Sequence, residues 1–350
     1  MSTKRIGFLS FGHWGASRGS RTPTASDTLL QTIELAVAAE EIGIDNASVR
    51  VHHFAPMLSA PFPLLAAMAA RTSRIELGTG VIDMRYENPL YMAEDAAVAD
   101  LISGGRLQLG VSRGSPETAL HGAHAFGFVP PEGMSDADLA RHKLEIFMAA
   151  IDGAGMTASD PRMTGVAKAL AIEPQSPGLT RRIWWGSGTR ATATWVAEQG
   201  LNLQSSTLLT EDTGVPFDEL QAEQIQLYRD AWRAAGHDWE PRVSVSRSVM
   251  PITTDLDRMY FGGEQASEDQ VGRLDGGNAR FGRTYAGEPD RLAEELARDA
   301  AVQSADTLLL TIPNQLGVDY NARLLETVAK HVAPAIGWVP PAERRLQPAV

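Results

Sequence analysis

The chain has 350 residues, with 31 Lys plus Arg against 43 Asp plus Glu and a formal charge of −12, which argues against a general attraction to nucleic acid or anionic membrane surfaces. It contains no Cys, so disulfides, thiolate metal sites, iron–sulfur clusters and a cysteine nucleophile are excluded. No window approaches the roughly 20 consecutive apolar residues of a membrane span and the first residues lack the apolar core of a signal peptide, so a cytoplasmic protein is expected.

The first element is a strand over residues 6–10. After a Gly/Ser/Pro-rich loop, Asp27 is placed to cap a helix that turns Leu30, Ile33 and Val37 to the core and ends at Gly43. A second strand, 46–51, leads into a polar and aromatic loop and a helix over 62–70; residues 75–81 are strand three. Pro89 starts the next helix, with Ala96, Ala97 and Leu101 inward, and Gly104-Gly105 breaks it before strand four, 107–111. Beyond Gly114 comes an insertion, with a helix over 136–150 and a stretch to Pro177 too rich in Gly and Pro for a simple crossover. Strands five to eight fall at 183–185, 201–204, 243–250 and 307–312, and the plainest of the helices that follow them are 217–235 and 323–332.

Alternation of strand and helix is the signature of a parallel sheet, and eight such units close a barrel more naturally than an open sheet. The expected fold class is therefore α/β: a (β/α)8 TIM barrel, residues 1–338 as one domain, with insertions after strands 4 and 7. Residues 253–287, rich in Gly, Asp, Arg and Gln without sustained periodicity, read as a lid. Residues 339–350 read as a Pro-rich peripheral tail.

Reactive groups of such a barrel sit on loops leaving the carboxyl ends of the strands. Those loops carry Val51-His52-His53-Phe54 after strand two, Gly78-Thr79-Gly80-Val81 at strand three, Ser112-Arg113-Gly114 after strand four and Gly186-Ser187-Gly188-Thr189 after strand five. The last run suits a phosphate, because glycines let the backbone approach while N–H groups and hydroxyls donate; it also suits tight packing alone. Arg113 reads either as a second donor to that anion or as a surface ion pair. His52-His53 offers a group that titrates near neutral pH, or a structural pair in a polar loop. Metal binding is the poorer reading, since adjacent side chains on an extended segment diverge and no third ligand is near. Asp83, Arg85, Glu87 and Asn88 read as a solvated turn, Trp184, Trp185 and Trp195 as core filler, and His121, His124 and His142 as surface or loop groups.

Taken together, Ile6-Gly7-Phe8-Leu9, the His52-His53 segment, and above all residues 75–114 carry a resemblance. The last block runs strand, Asn-Pro turn, Ala-Glu-Asp helix, Gly-Gly-Arg turn, strand, Gly-x-x-Arg-Gly. It is similar to the bacterial luciferase and flavin-dependent monooxygenase superfamily, strongly over about the first 130 residues and on through Gly186–Leu201. The resemblance implies that His52 assists flavin oxygen chemistry. It also implies that Gly80-Val81, often a non-proline cis peptide in the family, lies beside the flavin ring, and that Arg113, Gly188, Thr189 and Thr192 hold the phosphate. Ser112 and Ser187 belong to the same cofactor-binding segments. Ser112 stands where luciferase has a reactive cysteine, and Val51 stands where a Glu is usual; both departures point away from light emission and a long-chain aldehyde substrate. On this resemblance the chain is expected to be a two-component monooxygenase that takes reduced FMN from a separate flavin reductase, uses O2, and oxygenates a small organic substrate as a homodimer. The alternatives are a deazaflavin-dependent hydride-transfer enzyme, or a flavin-binding protein without turnover.

Overall fold

Short apolar runs buried on both faces form eight parallel strands, the pattern expected where helices cover a sheet. In the computed structural model, which describes residues 4–114, 119–211, 213–263, 268–274 and 277–344, these are β1 (Arg5–Ser10), β2 (Asn46–Val49), β3 (Glu76–Thr79), β4 (Leu107–Ser112), β5 (Ile183–Ser187), β6 (Asn202–Ser205), β7 (Val243–Pro251) and β8 (Thr307–Ile312). Each pairs with the next, and β8 returns to β1 with Arg5 opposite Thr307 and Ser10 opposite Ile312, so the sheet closes. One helix of the outer ring follows each strand: α1 (Ala25–Ile42), α2 (Pro61–Arg71), α3 (Pro89–Ser103), α4 (Asp136–Ile151), α5 (Arg190–Glu198), α6 (Phe217–Ala235), α7 (Pro289–Arg298) and α8 (Val318–Thr327). The expected eight-unit barrel is the fold observed. Among the described residues, no helix is long and apolar enough to cross a membrane.

Two helices present other faces than the sequence suggested. In α1 the N-cap is Thr24; Asp27 is the third helical residue and completes a capping box with it. The helix therefore buries Thr28, Thr32, Leu35, Ala36 and Ala39 and leaves Leu30 exposed. Thr28 and Thr32 fit inside because the Thr32 hydroxyl donates to the Thr28 carbonyl at 2.6 Å. In α3, Ala96 and Ala97 face inward but Leu101 does not; the small side chains of Ala93, Ala96, Ala97 and Ala99 let the helix lie close to the sheet.

The segment read as an irregular lid is regular. It holds a helix over Asp255–Phe261, a hairpin of Gln270–Leu274 with Gly277–Phe281, and a strand, Thr284–Gly287, parallel to β7. The hairpin also pairs with Leu208–Leu209 in the loop that leaves β6. Asp269 ties the hairpin to the barrel, its carboxylate accepting from the backbone N–H of Phe217 (2.9 Å) and of Arg283 (3.2 Å). Residues 264–267 and 275–276, within that reading, lie outside the described residues.

At the opposite, amino end of the barrel, Glu76 of β3 takes ion pairs from Arg5 of β1 and Arg242 just before β7. The chain after Trp338 is anchored here too. Trp338 donates its indole N–H to Asp45 at 2.8 Å, and Arg344 donates to both oxygens of the same carboxylate at 2.7 and 3.0 Å. Residues 345–350 of the expected tail lie outside the described residues.

Candidate active site

The carboxyl ends of the strands open into a cavity of about 310 Å³. That size suits a small-molecule site, for which about 300–1,000 Å³ is usual. Gly80, Val81, Ser112, Arg113, Gly188, Thr189 and Thr192, all nominated from sequence, line this one cavity. Ser187 does not: it is fully buried, and its hydroxyl donates to the Thr189 carbonyl at 2.9 Å, shaping the turn from behind.

Glycines set how closely the walls approach. The Gly80–Val81 peptide is cis. A Cβ on Gly186 would come within 3.2 Å of Val81 and 3.3 Å of Ser112, so β5 presses against the ends of both β3 and β4. A Cβ on Gly110 would sit 2.2 Å from the Thr79 carbonyl oxygen and 2.4 Å from Gln204 Oε1, closer than real contacts allow. Gln204, from β6, reaches across the barrel to donate its amide to that carbonyl at 3.1 Å, while the Thr79 hydroxyl donates to the Gly110 carbonyl at 2.8 Å. A strip of backbone is thereby held flat and close to the cavity, a surface suited to a planar ring.

Hydroxyls and guanidinium groups gather at the start of α5. Thr189 caps the helix by accepting from the Thr192 N–H, and the two hydroxyls are bonded to each other at 2.9 Å. Arg113 comes from the end of β4 and Arg141 from α4, where it stacks over the Trp195 ring at 4.6 Å. Two hydroxyls and two arginines form a donor set appropriate to a phosphate, beside a helix start whose first N–H, that of Arg190, already donates to the Glu211 carboxylate at 3.0 Å. The backbone strip and this donor set together fit a flavin-like cofactor: Gly80, Val81 and Gly186 would border the ring, and Thr189, Thr192, Arg113 and Arg141 the anionic tail.

His52 is not among the residues lining the cavity. It stands behind Arg50, which is, and its Nε2 accepts from Arg50 Nε at 3.3 Å. Burial, reinforced by the charge of Arg50, lowers its pKa to about 4, so near neutral pH the imidazole is uncharged and carries its proton on Nδ1. His53 turns the other way and stacks on Tyr86, ring centroids 4.2 Å apart.

The model of the luciferase-like monooxygenase family matches residues 5–259. The chain belongs to that family. This luciferase-like enzyme is 25% identical, over 263 residues, to the oxygenase component of the flavin-dependent trigonelline monooxygenase of Acinetobacter baylyi, a match covering 69% of this chain and 67% of that one. It is 41% identical over 91 residues to an F420-dependent glucose-6-phosphate dehydrogenase of Nocardia farcinica, covering 24% of this chain and 27% of the relative. Several curated relatives are spanned over little more than a quarter of their length. In fold it resembles the oxygenating constituent of 3,6-diketocamphane monooxygenase of Pseudomonas putida, a structure with FMN, at a TM-score of 0.69, with 17% identity over 97% of this chain and all of the other.

Arg50, Gln204 and Arg141 are among the lining residues of the luciferase-like site that escaped sequence reading. Arg50 had a usable signal: it directly follows the last residue of β2, and residues leaving the carboxyl ends of barrel strands border the mouth. Gln204 was read only as a strand end. Arg141 carries no local signal, because its place depends on α4 folding back over the mouth. The polar turn after β3 proved structural: Asp83 pairs with Arg85 at 2.6 Å and Asn88 caps α3, while burial pushes the Glu87 pKa up to about 7. Trp185 lines the cavity as well as packing edge-on against Trp195.

Proposed function

We propose that this enzyme is the oxygenase of a two-component monooxygenase: it takes reduced FMN from a separate reductase, uses O2, and oxygenates a small organic substrate. The observation that carries this reading is the joining, in one cavity, of the flat strip at Gly80–Val81 to the phosphate-suited cluster of Arg113, Thr189 and Thr192. Similarity to a flavin-dependent oxygenase component over two thirds of the chain supports it.

Bound reduced flavin supplies the electrons for oxygen chemistry; the protein supplies position, a closed site and proton control. Gly188, Thr189, Thr192 and Arg113 hold the tail, and Arg141 completes the charge. Gln204 and Thr79 keep the Gly80–Val81 strip in place. His52, uncharged and proton-bearing at Nδ1, is the group for holding or moving a proton at the edge of the site. The hairpin of Gln270–Leu274 with Gly277–Phe281 backs the cavity wall through its pairing with Leu208–Leu209 and acts as the lid.

Hydride transfer with a deazaflavin is the second reading, favoured by the 41% identity to an F420-dependent relative across 91 residues. Anaerobic titration with reduced FMN and, separately, with a reduced deazaflavin, followed by absorbance and fluorescence, tests both. Saturable binding of FMN with oxygen consumption on admitting air supports the first reading; binding of the deazaflavin alone overturns it. We also propose a homodimer in the cytoplasm. Tyr91, Val98, Leu101 and Ile102 leave an exposed apolar stripe on α3 that a second copy would cover, and sedimentation as a monomer at micromolar concentration would dismiss the dimer.

A further inference from the structure

We propose that Lys143 and Arg85 are positioning residues for the cofactor phosphate: together they lock α4 against the turn after β3, so that Arg141 stands at the cavity beside Arg113. The inference rests on the flavin reading of the cavity and deepens it, since both residues stand outside the cavity lining and act through residues within it. Arg141 comes from a helix of the insertion and not from a strand end, so its place at the mouth depends on how α4 is set down.

Arg85 grips α4 at two points. Its guanidinium donates to Asp136, the first residue of the helix, at 3.2 Å, and its carbonyl accepts from the Lys143 ammonium at 2.7 Å. Asp136 and Lys143 lie on one face of the helix, about two turns or about 10 Å apart along the axis, and two such points fix both its slide and its rotation. Ala137 and Arg141, one turn apart on an adjoining face, both line the cavity. Lys143 is buried, with its ammonium 3.3 Å from the centre of the Phe128 ring. Desolvating an ammonium costs free energy that a Met or Leu in its place would not, so packing alone does not account for the residue. Direction does, because a hydrogen-bond donor holds its helix only where the acceptor lies.

The same turn reaches Arg113. Asp83 belongs to the short strand Ile82–Asp83, which pairs with Val111 and Ser112 of β4, and its carboxylate accepts from the Arg85 guanidinium at 2.6, 3.0 and 3.1 Å. A Cβ on Gly114 would clash with that carboxylate and come within 2.7 Å of the guanidinium, so the ion pair presses on the backbone that directly follows Arg113. One largely buried pair thus braces the carriers of both phosphate arginines, β4 on one side and α4 on the other. Arginines set in place before a ligand arrives lose less freedom on binding it, which strengthens the hold on the phosphate and leaves contacts to the ring as they were.

The test compares FMN with riboflavin, which lacks the phosphate. Flavin fluorescence gives both affinities for wild type, Lys143→Met, Lys143→Arg, Arg141→Ala and the double variant of Lys143→Met with Arg141→Ala, and circular dichroism checks that each is folded. Lys143→Met is expected to weaken FMN by about three- to tenfold, up to the scale of one charge-assisted bond, with riboflavin unchanged within about twofold. Lys143→Arg, which keeps a charged donor, is expected to regain much of the FMN affinity. In the Arg141→Ala background the Lys143→Met change is expected to cost FMN less than about twofold, because the side chain it sets is gone. Equal losses for FMN and riboflavin would make Lys143 an anchor of the insertion and nothing more; that result, an unchanged FMN affinity, or losses that multiply in the double variant overturns the proposal. Should Lys143→Met not fold, Asp136→Ala, which frees the exposed start of α4 from Arg85, takes its place with the same expected and overturning results. A wild type that binds FMN no better than riboflavin lacks a phosphate grip, and the cofactor reading falls together with the proposal. A wild-type preference for FMN that persists in full in Lys143→Met overturns the proposal alone.

Discussion

Arg50 donates from Nε to the Nε2 of His52, so a fixed positive charge borders the imidazole that the site would use for proton handling. Together with burial, this holds the imidazole uncharged down to about pH 4.

Stability should vary with pH as a result. Unfolded, His52 takes up a proton near the usual value of about 6.5; folded, it does so only near 4. Between those values the unfolded chain binds more protons, so the contribution of His52 to stability is complete above about pH 6.5 and is lost as the pH falls toward 4. His13 and His53, lowered by burial, slope the same way. Urea unfolding from about pH 7.5 to about pH 4.5 should give a shallower fall for His52→Gln than for wild type. Parallel curves would contradict the lowered pKa.

His52→Ala should leave flavin binding nearly intact, since the side chain stands outside the cavity lining, and should reduce substrate turnover. A loss of about 10²-fold or more in kcat is expected of a proton-handling residue. Turnover equal to wild type would remove His52 from the chemistry.

The backbone strip depends on a contact across the barrel. Gln204→Leu removes the amide that donates to the Thr79 carbonyl and should cost about 1–3 kcal/mol, with weaker flavin binding. Gly110→Ala drives a methyl group into the same carbonyl and into Gln204; it should cost at least about 1–3 kcal/mol and abolish flavin binding. Denaturant unfolding and flavin fluorescence read the two effects separately. Wild-type affinity in Gly110→Ala would show that the strip does not border the ring.

At the other end of the cavity, Thr192→Val and Arg113→Ala should each weaken FMN by about tenfold or more, in proportion to lost donors. Thr189→Ala should do so as well while removing a helix cap worth about 0.5–2 kcal/mol. Riboflavin, which lacks the phosphate, should be indifferent to all three. Equal losses for FMN and riboflavin would place the tail elsewhere.

The hairpin of Gln270–Leu274 with Gly277–Phe281 is tethered through Asp269. Asp269→Ala should loosen it, seen as faster proteolytic cleavage within 262–283, and should raise the fraction of reduced flavin lost to hydrogen peroxide. Deleting the hairpin should increase that fraction further. Unchanged coupling of reduced flavin to product in the deletion would end its role as a lid.

The barrel was legible because strand parity and helix punctuation repeat eight times, and an error in any single unit leaves the count unchanged. What failed was local. Leu30 was assigned inward because α1 carries apolar residues on several sides, and only its starting residue, Ala25, sets which face packs. The hairpin was missed because its register is set by pairing with Leu208–Leu209 and by Asp269, not by an apolar face. Gly80, Arg113 and Gly188 were legible because strand ends converge in such a barrel. Arg141 depends on how an insertion folds, and adjacent positions do not encode that.

The three arginines of the cavity have a kinetic corollary. An approaching anion first meets the repulsion of a chain carrying twelve net negative charges and feels attraction only once inside the mouth, since fields decay over about 8 Å in physiological salt. Added salt should therefore hasten entry and shorten residence at the same time. Polyanions, too large to leave the repelling exterior behind, are turned away by the field that a small monoanion outruns.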